Sequence, residues 1–94
     1  MFVVSLTYLV SLDEIDRFIP EHVRYLDEQY SKGNFILSGR KEPRTGGMII
    51  ATMDKRSELD EVLSQDPFHQ NDLACYEVTE VIPSKTSKQL EFLL

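Results

Sequence analysis

The chain has a single cysteine, Cys75, and no tryptophan. One thiol excludes an internal disulfide and any zinc site built on paired cysteines, and makes a reducing, cytoplasmic setting the expected one. Histidine is almost as scarce: His22 and His69 are the only two, and they lack the i, i+4 spacing of a helical metal pair. Basic residues are outnumbered ten to sixteen, for a formal net charge of −6. That balance argues against nucleic acid, whose binding depends on Lys and Arg neutralising phosphates, and against an anionic membrane surface. No apolar run approaches the roughly 20 residues of a transmembrane helix. Met1-Phe2-Val3-Val4-Ser5 has neither a basic region nor a small-residue cleavage site, so no secretory signal is expected. Glycines are few, and the one doublet, Thr45-Gly46-Gly47, lacks the Walker spacing and leads into a strand pattern, so it is not a phosphate loop.

What is present is ordinary for one folded domain: 94 residues, 41% hydrophobic and 28% charged. A chain this short buries only about 60–65% of its unfolded surface, so pairing with a second copy is expected.

Residues Phe2 to Tyr8 alternate as a strand. Phe2, Val4, Leu6 and Tyr8 share a face suited to a helix layer. Val3, Ser5, Thr7 and Leu9 share the other, where hydroxyls mix with apolar groups as in a pocket or a dimer interface. Ser5 and Tyr8 are accordingly candidate pocket groups. Ser11 is a good N-cap, with Asp13 and Glu14 behind it. Ile15, Phe18, Ile19, Val23, Leu26 and Tyr30 then recur at helical spacing up to Gly33. Pro20 interrupts this run, and its ring predicts a break or kink near Phe18-Ile19. His22 falls in the first turn of the second piece, at the margin of the apolar stripe.

Phe35-Ile36-Leu37 is a short strand ending at Ser38-Gly39. The turn-rich stretch after it holds Arg40, Lys41 and Arg44, a local positive patch in an acidic chain. Met48 to Met53 is apolar on both faces, which predicts cover on both. The chain's own helices supply one cover, and a face-to-face homodimer supplies the other. A second helix pattern runs from Asp54 to about Gln65, and a last strand from Ala74 to Ile82, stopped by Pro83. The order β-α-β-β-α-β predicts an α+β, ferredoxin-like fold, with both helices on one side of an antiparallel sheet. Residues 1–84 form the domain, and 85–94 are a tail that turns apolar at Leu90, Phe92, Leu93 and Leu94.

Asp66-Pro67-Phe68 draws the chemistry together. Pro67 ends the second helix pattern and biases Asp66 toward extended angles. Asp66 reads either as an N-cap for a short turn with proline at its first position, or as an inward carboxylate near the sheet, and its two oxygens allow both. His22 and Asp66 each sit about three turns past their own helix start, so a pseudo-symmetric fold can bring them to one end of the sheet. A carboxylate on one imidazole nitrogen raises the basicity of the other, making a general base without an attached nucleophile. The plainer reading is a hydrogen-bonded, partly buried histidine. His22, Asp66, His69 and Asp72 can ligate a metal in principle, but in no known spacing, so no metal and no cofactor are expected. Ser38 lacks the context of a nucleophile elbow.

The chain resembles the YciI-like (YCII-related) family of small ferredoxin-like proteins. The resemblance lies in Pro20-Glu21-His22-Val23-Arg24-Tyr25-Leu26, Gly33 through Lys41, Gly46-Gly47-Met48-Ile49-Ile50, Asp66-Pro67-Phe68, and Tyr76-Glu77-Val78 with Pro83. It implies a dimeric α+β barrel with two facing sheets, a His–Asp active-site pair at His22 and Asp66, and a pocket stretch at Ser38, Gly39 and Arg40. Related members are linked to dehydrochlorination of a chlorinated hydroxyhydroquinone, so the resemblance implies proton transfer on small ring compounds. The competing expectation is a non-catalytic dimeric binding module in which the same pair is a structural bond.

Overall fold

The alternating apolar face of the first strand organises the computed structural model, which describes residues 1–94. The elements are β1 (Phe2–Tyr8), α1 (Leu12–Ser31), β2 (Phe35–Arg40), β3 (Gly46–Ala51), α2 (Arg56–Leu63), α3 (Pro67–Gln70) and β4 (Ala74–Glu80). A 3₁₀ helix, Lys88–Leu93, follows in the tail. The strands form one antiparallel sheet in the order β2-β3-β1-β4, the ferredoxin-like arrangement. No helix is long and apolar enough to cross a membrane.

Phe2, Val4 and Leu6 are buried, and their neighbours in register, Ile49 and Ala51 of β3, are buried with them. Ile15 and Tyr25 of α1, Leu59 and Leu63 of α2, and Phe68 of α3 complete the core against that face. Gly46 is required where β3 meets β1, because a Cβ there would lie 1.8 Å from the Leu6 carbonyl oxygen. Gly33, at φ +75, ends α1 in the left-handed conformation that glycine adopts without a steric penalty.

The expected break at Pro20 does not occur: α1 is one helix of 20 residues with Pro20 inside it. A proline in a helix interior costs about 3 kcal/mol. Ile15 and Tyr25, buried on either side of it, each contribute about 1.5–3 kcal/mol of burial, and a continuous helix keeps both on the sheet. Pro20 and Asp16, the residue whose carbonyl loses its partner, are both exposed. The second helix is shorter than its pattern, and Asp66 begins a separate turn, α3.

The opposite face of the sheet carries no helix. By register it presents Val3, Ser5 and Thr7 of β1, Met48 and Ile50 of β3, Leu37 of β2, and Cys75, Glu77 and Thr79 of β4. Leu37 is 53% exposed and Met48 40%.

Candidate active site

Asp66 is reached from α2 and held by α3. Its backbone is extended, Pro67 occupies the first helical position, and its Oδ1 accepts the Phe68 N–H at 3.0 Å as the N-cap of α3. The same oxygen accepts from Nδ1 of His22 at 2.8 Å, so cap and inward carboxylate are both realised. The second oxygen, Oδ2, accepts from the Tyr76 hydroxyl at 2.6 Å. Asp66 is fully buried. Burying a carboxylate costs several kcal/mol, and three donors, each worth about 1.5–3 kcal/mol when the acceptor is charged, offset that cost.

His22 projects from α1 on the side facing the sheet, between the turns that bury Ile15 and Tyr25. Its ring lies on that of Phe68, with centroids 4.0 Å apart and planes within 3°. Because Nδ1 donates to the carboxylate, the neutral ring carries its lone pair on Nε2, which has no hydrogen-bond partner within the chain. Tyr25 stands behind the histidine and donates to the Val62 carbonyl at 2.8 Å. Burial first, and then the Asp66 charge, push the Tyr25 and Tyr76 hydroxyls far above the ordinary tyrosine range, so both remain neutral donors.

A cavity of about 180 Å³ opens beside His22, between α1 and the β2-β3-β1 part of the sheet. Tyr8, Ile19, Leu26 and Phe68 wall it, and Ser38, Gly39 and Arg40 line its β2 side. Ser38 and Arg40 pair with Ile49 and Gly47, which puts both on the helix-facing side of β2. Ser38 is held by the Tyr30 hydroxyl at 2.7 Å. Of the three-cation patch, Arg44 bonds Asp16 and Lys41 reaches Thr7 on the opposite face. Arg40 has no carboxylate partner and is the one cationic chain lining the cavity.

His22, Asp66, Tyr8, Ser38, Gly39 and Arg40 thus come together. Ser5 does not: it sits between Val4 and Leu6, whose burial turns it to the uncovered face of the sheet. His69 packs at 5.3 Å against the ring of Tyr76 rather than near His22, and nowhere do three His, Cys, Asp or Glu side chains converge as metal ligands would. Sequence reasoning missed Tyr76 as a partner of Asp66. The β4 alternation placing Ala74, Tyr76 and Val78 on the helix side was readable, but the reach of the hydroxyl was not.

No curated protein sequence matches the chain. Among solved structures, the chain is similar to the 5-chloro-2-hydroxyhydroquinone dehydrochlorinase TftG from Burkholderia phenoliruptrix AC1100, solved with 2,5-dihydroxybenzoquinone. The match has a TM-score of 0.74 at 19% identity and covers 94% of this chain and 96% of that one. At that identity the likeness shows a shared fold. The YCII-related domain model matches residues 1–85, and the chain belongs to the YCII-related family.

Proposed function

We propose that the chain is an acid–base enzyme working with its own side chains on a small monocyclic anion. His22 Nε2 takes a proton from the substrate and returns it at another atom or to the leaving group. Asp66 holds the ring in the productive tautomer and stabilises the imidazolium formed. Arg40, with Ser38, receives the anionic end. The observation that carries this reading is the 2.8 Å bond from Nδ1 to a fully buried carboxylate, on a ring that lines a cavity. Size supports the substrate class: a cavity of about 150 Å³ holds benzene, so about 180 Å³ accommodates one substituted ring. The dehydrochlorinase of the same fold, solved with a dihydroxylated quinone, supports it further.

The test is a screen of hydroxylated and carboxylated single-ring compounds for turnover or for deuterium uptake from D₂O. Activity should fall at least 100-fold in His22→Ala and Asp66→Ala, on the scale of general acid–base catalysis. Turnover unchanged in both variants refutes the proposal.

One observation favours a second reading, a binding module with a structural His–Asp bond: Asp66 also caps α3. In that case ligand affinity survives in His22→Gln and no turnover exists to lose. In either reading we propose that a second copy covers the open sheet face through Leu37, Met48 and Ile50.

A further inference from the structure

We propose that Tyr76 is a positioning residue of the acid–base pair: its hydroxyl holds the second oxygen of Asp66, so that a correctly turned carboxylate faces His22. This inference rests on the proposed acid–base role of His22 and extends it to a residue on a different element.

Asp66 has two oxygens to satisfy in a fully buried position. Oδ1 is served twice, by His22 Nδ1 and the Phe68 N–H. Oδ2 is served once, by Tyr76 at 2.6 Å, and the chain offers it no other donor. The hydroxyl comes from β4, whereas Asp66 lies at the α2–α3 junction and His22 on α1. The bond therefore fixes the carboxylate against rotation from the sheet side, through an oxygen that the cap does not hold. Burial keeps the Tyr76 hydroxyl neutral, so it is always a donor there. Without it, Oδ2 is a buried acceptor lacking a partner. The carboxylate is then free to turn, and Nδ1 loses a correctly placed acceptor.

Tyr25 provides the comparison. It is a buried tyrosine close to Asp66, as the half-buried Tyr76 is, yet its hydroxyl goes to the Val62 carbonyl. Tyr76→Phe and Tyr25→Phe each remove one buried hydroxyl, so a purely structural role predicts the same outcome for both.

The experiment is ¹⁵N NMR of the His22 ring in the full chain at a pH where the ring is neutral, for wild type and the two variants. Wild type and Tyr25→Phe should show a protonated Nδ1 and a bare Nε2. Tyr76→Phe should show a mixture of tautomers. One Nδ1–H tautomer persisting in Tyr76→Phe overturns the positioning role and leaves the acid–base reading standing. A mixture already present in wild type overturns both. Should Tyr76→Phe fail to fold, the wild-type protein decides: the Tyr76 hydroxyl proton should exchange slowly enough to be seen and should vanish in Asp66→Ala. Exchange too fast for that proton to be seen in the wild type rules the link out.

Discussion

The rings of His22 and Phe68 lie face to face, 4.0 Å apart and within 3° of parallel, while the backbone N–H of Phe68 holds the carboxylate oxygen that His22 also uses. Phe68 therefore fixes the plane of the imidazole with its side chain and the position of its partner with its main chain. Phe68→Leu keeps the main-chain bond and loses the stacking, worth about 0.5–1.5 kcal/mol beyond area. It should lower stability modestly and reduce turnover with little change in KM. Phe68→Ala should cost about 3–5 kcal/mol, as for other buried aromatic residues. Urea denaturation at unchanged m-value measures both.

Removing Asp66 strands three donors at once. Asp66→Ala should therefore cost more than the ~1 kcal/mol of an ordinary cap deletion, about 3 kcal/mol or above at roughly 1–3 kcal/mol per buried group left unpaired. Asp66→Asn keeps an acceptor for the cap and should cost less. A cost for Asp66→Ala no greater than that of an ordinary cap deletion would show that the extra hydrogen bonds contribute nothing.

High pH should weaken the protein through Tyr25 and Tyr76. Both hydroxyls are pushed up from the ordinary value of 10.0, so the unfolded chain releases those protons first. Their contribution is complete below about pH 10 and is lost as pH rises above it, at about 1.4 kcal/mol per pH unit for each. Phenolate absorbance missing in the two Tyr→Phe variants should appear together with loss of helical circular dichroism. Its appearance in the folded protein would contradict the burial of these hydroxyls.

Arg40 and Arg44 lie four residues apart, yet only Arg40 lines the cavity. Arg40→Ala should weaken a bound single-ring carboxylate or phenolate about 10- to 150-fold, since a charged hydrogen bond is worth about 1.5–3 kcal/mol, and should flatten the salt dependence of binding. Arg44→Ala should leave affinity within twofold. Isothermal titration at two ionic strengths compares them.

Met48 is 40% exposed on the face of the sheet without helices. A charge in the middle of an apolar interface has no partner, so Met48→Lys should shift a dimer toward monomer in sedimentation velocity. A wild type that sediments as a monomer would refute the proposed pairing.

Much of the fold was legible because periodicity and punctuation agreed. The alternation of Phe2, Val4, Leu6 and Tyr8, the Ser11 cap and the Gly33 stop each exert their effect locally, and the structure keeps them. Pro20 was misleading because its local penalty is outweighed by Ile15 and Tyr25, which pack on the sheet from both sides of it. Ser5 was misleading because a face mixing hydroxyl and apolar groups suits a cavity as well as an interface, and only the pairing of β1 with β3 separates the two. The pair itself was legible as an ordered set of motifs, with Asp66-Pro67-Phe68 carrying cap chemistry on its surface. Tyr76 was not, because a hydrogen bond between a strand and a helix junction leaves no spacing in the sequence.

The central claim is that Asp66 fixes His22 with its proton on Nδ1 and a free lone pair facing the cavity. The most direct measurement is the ¹⁵N ring spectrum of His22 in the wild-type protein and in Asp66→Asn. The wild type should show a single Nδ1–H tautomer, and Asp66→Asn should lose that preference. A wild-type ring divided between tautomers, or one indifferent to the substitution, would contradict it.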